Sequence, residues 1–498
     1  MNPDQMWTWL GLIAPVLLVS LGGCVSMLLS VAEKRDDAVE HQPEAASAYL
    51  VTSLAFLALA LVALWLQQPA GSAWNGLVSV DRFAIVGQGI LVFASGIALS
   101  IGGAYWERQR LVRGEYFALS MFATAGMMLM VLACELLTFF VGLEIMSLAI
   151  YVLVCFRRAD RWSQEAALKY FINGSFASAF FLFGAGLLFG ATGATDYVGI
   201  AAVVKQAGVL SPLFLSGATL CLIGFAFKVA AVPFHMWAPD AYMGAPTTVT
   251  GYMAATVKTA GFLAFLRFTL MALGNGAHSL VPAVIPLIEV LAIVTMTVGN
   301  LLALLQRRTK RMLAYSSISH AGYLLVGMVG ALERGDNGVR AVMFYLLTYG
   351  VTTIGAFGIL ASLEKGHNRH EDGFVHKLAG IGYLRPGLAL ALTVFMFGLS
   401  GIPPTAGFVG KILLFGPALE AGHSTLVVIA LLNSVFAVYY YLRVIVFMYM
   451  KGQTADEHGQ AQVASPFMNV ALAVAAVLTV AVGVAPQDWL QPLAHLLT

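Results

Sequence analysis

KVAAVPFHMWAPDAYMGAPTTV, running from Lys228 to Val249, puts a lysine, an aspartate and three prolines into an otherwise apolar landscape. Pro233, Pro239 and Pro246 each delete a backbone donor and cannot all lie within regular helix. The apolar run that leads into the stretch, 211–232, is long enough to span a bilayer, so it must break or unwind near Lys228. A second stretch behaves the same way. Pro386 to Leu419 is 34 residues, which as one helix would be ~51 Å long against a ~30 Å hydrocarbon core. Its middle reads SGIPPTAGFVGK, and Gly401, Pro403, Pro404 and Gly407 mark the break, four residues before Lys411.

The rest of the chain sets these breaks in a membrane. It is 59% hydrophobic and 10% charged with mean hydropathy +0.84, far from the roughly 25% charge of soluble domains. Fourteen spans are predicted, an all-α polytopic fold: 7–30, 46–67, 83–105, 115–134, 135–155, 165–193, 211–232, 246–274, 279–303, 310–332, 337–363, 386–420, 424–448 and 467–490. The run 115–155 is too long for one crossing, and Ala133-Cys134-Glu135 offers the polar interruption at which it turns.

Charge sets the orientation. With the N-terminus outside, the odd loops hold seventeen Lys and Arg residues, among them Arg108, Arg157, Arg308, Lys310 and Arg385, and the even loops hold four, Arg82, Lys205, Arg334 and Arg340. The positive-inside rule then places the odd loops in a bacterial cytoplasm and both termini on the periplasmic side of the inner membrane. No basic stretch precedes 7–30 and no small-residue cleavage site follows it, so it reads as a retained helix. Cys24, Cys134, Cys155 and Cys221 lie in or at the end of apolar spans without CxxC spacing, which argues against metal, iron–sulfur and disulfide roles. No GxGxxG or P-loop is present, so the chain by itself carries neither redox chemistry nor ATP hydrolysis. The net charge of +2 gives no reason to expect nucleic acid.

Function must lie in the charges at bilayer depth. Glu144, Lys228, Lys258, His320 and Lys411 stand alone in apolar runs, and each is expensive there unless it has a use. Burial disfavours a charged lysine and a nearby carboxylate restores it, so such a series can take up and release protons. In the fifth span Ser147 and Tyr151 follow Glu144 on one face, and an ionised Glu144 needs a cation, Lys228 or Lys169. Lys169 lies near a basic loop and could equally snorkel to the interface. Lys258 has Ala254, Ala255 and Gly261 around it, leaving room for water. His320 shares its face with Ser316, Ser319 and Tyr323, and the eleventh span repeats the rhythm with Tyr345, Thr348, Tyr349 and Thr352. These residues suit a hydroxyl-lined water chain with an imidazole relay, although such groups also serve as plain interhelix hydrogen bonds. Glu289, in the ninth span, receives no role.

Prolines alone would merely kink two ordinary helices. Two breaks, each within five residues of an intramembrane lysine, point instead to irregular backbone that lines a cavity and to an inverted-repeat transporter. The fourth to eighth and the ninth to thirteenth spans would be the repeats. The corresponding divisions are 1–110, a three-helix segment; 111–275 and 276–450, the five-helix repeats; and 451–498, a C-terminal helix.

MW-x-x-D-x-Y-x-GAPT, with KRMLAYSSISHAGYLL from Lys310, EYFALSMFATAGMMLM from Glu115, GLEIMSLAIYVL from Gly142 and GIPPTAGFVGK from Gly401, resembles the antiporter-like subunits of respiratory complex I, subunit N type. The likeness runs from about Asp81 to Met450. It implies a fourteen-helix unit with two inverted five-helix repeats and broken seventh and twelfth helices. By motif, Glu144 takes the place of the fifth-helix glutamate, Lys228 the broken-helix lysine, Lys258 the central lysine and Lys411 the exit-side lysine. His320 joins this proton path, with Lys169, Tyr323 and Tyr349 in second rank. The chain departs from the family pattern at Asn173, Ser175 and Thr248. The resemblance further implies proton translocation within NADH–quinone oxidoreductase, driven by redox chemistry in other subunits. No cofactor is expected in this chain, while FMN, iron–sulfur clusters, NADH and quinone belong to partner subunits, namely other membrane subunits and through them a hydrophilic arm. A subunit of a multisubunit Na⁺/H⁺ antiporter would share nearly all these residues, and a scaffold with structural charges is the third reading.

Overall fold

The computed structural model describes residues 9–32, 43–74, 76–109, 113–206, 210–273, 279–364, 375–452 and 465–487. Among them, 12 helices are long and apolar enough to cross a membrane, and two shorter apolar ones begin the broken spans. The first six crossings are α1 (Ala14–Ala32), α2 (Pro43–Leu66), α3 (Arg82–Arg108), α4 (Gly114–Leu132), α5 (Leu136–Val154) and α6 (Arg161–Thr192). A hairpin, β1 (Gly71–Ala73) against β2 (Val78–Val80), joins α2 to α3, and the short α7 (Tyr197–Gln206) follows α6. Neither was predicted: three-residue strands are too short to show a period of two, and α7 is only ten residues.

The seventh span is α8 (Pro212–Lys228), an unwound segment, and α9 (Trp237–Gly244). The eighth is α10 (Thr247–Ala272), continuous but carrying a π-turn at Met253–Val257 immediately before Lys258. Then come α11 (Val281–Leu304), α12 (Thr309–Arg334), α13 (Asp336–Leu363), the broken pair α14 (Pro386–Ser400) and α15 (Ala406–Glu420), α16 (Ser424–Met450) and α17 (Pro466–Val484). The predicted spans therefore stand, with ends shifted by a few residues; residues 9–12 are already helical ahead of a turn at residue 13, and the start of the first predicted span and the end of the last lie outside the described residues.

Local chemistry fixes the helix starts. Asp81 accepts from Ala84 N at 2.7 Å and Glu135 from Thr138 N at 2.6 Å, so polar residues at span ends cap α3 and α5. Lipid supplies no hydrophobic force between helices, and close packing must replace it. Gly126 on α4 and Gly142 on α5 meet backbone to backbone: a Cβ on Gly126 would come within 2.7 Å of Met146 N. Helices α10, α12 and α13 are enclosed on nearly all sides, whereas α2, α6 and α17 present apolar side chains outward. The enclosed three carry Lys258, His320 and Tyr349.

Candidate functional site: a buried file of lysines

The break in the seventh span is satisfied by its own two halves and by a neighbouring helix. After Lys228 the chain passes through Ala230 at φ 58°, and Ala231 N reaches back to Ala226 O at 2.9 Å. Trp237 Nε1 donates to Phe227 O at 3.1 Å, and Val232 N donates to Thr295 Oγ1 of α11 at 3.0 Å. The span's own two halves and α11 thus supply hydrogen bonds that a regular helix would have made, which is the condition for irregular backbone at this depth. In the second break, Gly401 adopts φ 79°, a conformation that favours glycine, and the segment up to Thr405 is non-helical.

Lys228, Lys258 and Lys411 are only 3 to 6% exposed. Each ammonium is held by hydroxyl and carbonyl oxygens. Lys228 Nζ donates to Ser147 Oγ at 2.9 Å and lies 5.9 Å from the Tyr170 ring. Lys258 Nζ donates to Ser317 Oγ at 2.6 Å and to the Ser317 carbonyl, with the Tyr349 ring at 5.8 Å. Lys411 Nζ donates to Ser400 O at 2.7 Å and Ser434 Oγ at 2.6 Å, over the Tyr323 ring at 5.2 Å. No carboxylate among the described residues lies within ion-pair distance of any of the three.

Aromatic hydroxyls fill the intervals. Tyr349 donates to Ser317 Oγ at 3.0 Å, so it shares the partner of Lys258. His320 Nδ1 is 2.6 Å from the Tyr345 hydroxyl and Nε2 is 3.1 Å from that of Tyr441, which also bonds Ser316. The imidazole thereby bridges α13 and α16. Tyr323 accepts from Asn300 at 3.1 Å, and Asn300 is held in turn by Tyr440 and Asn433. Glu144, half-buried on α5, accepts from Ser178 Oγ of α6 at 2.5 Å.

The profile of the family described as "NADH:quinone oxidoreductase/Mrp antiporter, TM" matches residues 133–437. Sequence similarity runs further: NADH-quinone oxidoreductase subunit N 1 of Sorangium cellulosum is 42% identical over 487 residues, 95% of this chain and 96% of that protein. The chain belongs to this family. Its subunit N relatives include that of Trichlorobacter lovleyi, 45% identical over 84% of each chain. Among solved structures, a chain of respiratory complex I from Thermus thermophilus with bound aureothin superposes with a TM-score of 0.78 at 33% identity, covering 96% of this chain and 99% of that one. The Mrp complex from Dietzia matches with a TM-score of 0.81 at 21% identity, a likeness of fold.

Seen as a member of this family, the chain brings together most of the residues singled out in its sequence and separates two. Lys169 is exposed on α6 and pairs with Glu165 at 2.7 Å and Asp240 at 3.2 Å, so it is no counter-ion for Glu144. Lys228 takes Ser147, one turn along α5, as its partner, and the direct ion pair expected between Glu144 and Lys228 is absent. Glu144 accepts instead from Ser178 of α6. Ser316 and Ser319 bond elsewhere than to His320. Thr348 and Thr352 return their hydroxyls to their own helix. Glu289 proves to be paired with His423 at 2.6 Å, at the end of the molecule opposite the basic loops.

Reading by sequence missed Ser178, Ser317, Ser434, Tyr441, Asn300 and Asn433, single polar residues in spans that carry many. It also passed over Arg267, 3% exposed on α10, which pairs with Asp81 at 2.6 Å and contacts Cys134 Sγ at 3.1 Å. A guanidinium about two and a half turns from Lys258 was signal enough.

Proposed function

We propose that this chain moves protons as the antiporter-like subunit N of an NADH–quinone oxidoreductase, with no redox step of its own. The observation that carries the reading is the set of three buried lysines with only neutral partners, two of them beside helix breaks. A buried charge that is purely structural is normally paired with an opposite one, because an unpaired one costs several kcal/mol. A lysine held by serine oxygens has neighbours suited to either protonation state, since a hydroxyl donates as well as accepts. At one end Ser147 holds Lys228, and Glu144 acts on that lysine through space. Ser317 and Tyr349 serve Lys258, His320 with Tyr345 and Tyr441 bridges the middle, and Ser434 serves Lys411. Lys169, with Asp240, belongs to the approach from the basic end. A proton would pass between lysines by way of these hydroxyls and water, each site filling as the next empties.

The two broken spans would then belong to two inverted repeats, α4 to α10 and α11 to α16. The basic end would face the cytoplasm of a bacterium and the termini the periplasm. Electron transfer among FMN, iron–sulfur clusters and quinone would take place in partner subunits. Purification of the native chain with its partners tests this: we expect co-purification with other membrane subunits and NADH–quinone reductase activity. An isolated chain that oxidised NADH in liposomes, or a native chain found alone, would refute the reading.

A further inference from the structure

Away from the lysines, α3 carries a second polar stripe. Asp81, Gln88, Ser95 and Gly102 recur at seven-residue spacing, two turns apart, on the face toward α4 and α10. At mid-membrane Ser95 accepts from Thr124 at 3.0 Å, Thr124 bonds the Tyr252 hydroxyl at 2.8 Å, and Tyr252 reaches Ser120 O at 2.9 Å. Two turns along α3 toward the basic end the Tyr116 hydroxyl fills the space left by Gly102, beside Trp106, Thr248 and Ser120. Then comes Thr247, whose hydroxyl donates to Glu364.

Glu364 is 7% exposed, and its second oxygen accepts from Tyr105 at 2.9 Å; that hydroxyl accepts from Arg157 at 2.9 Å. The groups facing the carboxylate are thus Tyr105 and Arg108 of α3, Arg157 of the turn after α5 and Thr247 of α10, with Arg385 acting on Arg108. A cavity of about 420 Å³ opens at this end, with Glu107, Arg108, Ser362, Arg385 and Asn469 in its wall; Glu364 is set back from that wall and linked to it by Arg108, which donates to the Ser362 and Ala361 carbonyls. Among the described residues Gln88 Oε1 is buried without a hydrogen-bond partner, and Thr248 Oγ1 and Trp106 Nε1 have only the neighbouring Tyr116 hydroxyl to turn to. Buried polar groups are nearly always satisfied, and roomy polar sites hold water. The stripe meets α10 at Tyr252 and Thr256, within and beside the π-turn Met253–Val257, and Lys258 is the next residue.

We propose that this seam between α3, α4 and α10 holds a water file that supplies protons from the basic end to Lys258, with Glu364 as its entry acid. Water that enters past the cavity wall gives a proton to the Glu364 carboxylate. Glu364 releases it to the file, where each oxygen accepts one proton and gives up another, and the last forms the N–H bond on a neutral Lys258. Glu364 is left ionised and ready to reload. The π-turn is the point on α10 where the backbone ladder is widened, and such turns gather at functional sites.

The seam rests on the lysine reading but fails separately from it. In the assembled complex in liposomes, Tyr252→Phe and Thr124→Val remove hydroxyls and keep volume, and Glu364→Gln removes the entry acid. We expect coupled turnover to fall roughly threefold at alkaline pH and to recover as the basic side is acidified. That is less than the ~10²-fold loss from deleting an essential proton carrier, because water bypasses one missing hydroxyl. Glu364→Gln also disturbs Arg108 and Arg157, so Tyr252→Phe decides if that variant does not assemble. A deficit independent of pH, or none in an assembled Tyr252→Phe complex, overturns the seam. If Lys228→Met is inactive in the same preparation, the lysine file survives that failure. High-resolution imaging of the complex should place water within hydrogen-bond reach of Thr248 Oγ1 and Trp106 Nε1, and a dry seam beside visible water at Lys258 would contradict the proposal.

Discussion

Arg267 and Lys258 lie on the same helix, both 3% exposed, and their surroundings are opposites. Arg267 is locked to a carboxylate, Asp81 at 2.6 Å, with Phe83 4.8 Å beneath the guanidinium. Lys258 is given a serine hydroxyl, a carbonyl and a ring face. A guanidinium does not titrate, so its charge must be compensated permanently. An ammonium can lose its proton, and a full counter-ion would pin it in one state. The difference teaches that pairing separates the charges that hold this molecule together from those that can change.

Breaking the clasp should have the largest effect. Asp81→Ala leaves Arg267 buried without a partner and removes the cap of α3, a cost of about 3–5 kcal/mol. We expect loss of the assembled subunit, measured by its recovery in the purified complex; normal recovery would erase the contrast from the structural side. Lys258→Met attacks the other side. It removes the titrating group and keeps most of the volume, so assembly should persist while coupled quinone reduction falls by ~10²-fold or more. Loss of assembly instead would place Lys258 with Arg267 among the structural charges.

Glu144→Gln sharpens the intermediate case. The amide can keep the bond to Ser178 but not the negative charge, so a severalfold slower turnover with normal assembly is expected from kinetics of the purified enzyme. An unchanged rate and unchanged pumping would reduce Glu144 to a strut. His320→Gln should matter least. Glutamine can bond Tyr345 and Tyr441 in part but cannot carry a proton as an imidazole does, and water can bypass it. A partial fall in protons moved per electron is expected; complete uncoupling would make His320 indispensable.

Those contrasts were legible in the sequence only in part. Proline positions located both breaks, and apolar run length located the spans, because bilayer thickness imposes both signals on a single segment. Isolated charges named the lysines for the same reason. Their partners were hidden. Ser317, Ser434 and Tyr441 lie one or more spans away from the residue they serve, and one serine in a helix gives no hint of which neighbour it will face. Charge alone pairs Glu144 with Lys228, whereas in the fold Ser178 holds Glu144 and Ser147 holds Lys228. The π-turn before Lys258 left no mark, since MAATV is ordinary helical sequence.

The central claim is that lysines with neutral partners carry protons, and Lys228→Met tests it most directly. The variant keeps the length of the side chain, deletes the ammonium held by Ser147, and spares the protein an unpaired buried charge, so the complex should assemble. Proton uptake and quinone reduction are measured together in liposomes containing the assembled complex, with NADH oxidation by an artificial acceptor as the control. Pumping and quinone reduction should both collapse while the control stays normal. Full pumping by an assembled Lys228→Met complex would contradict the account.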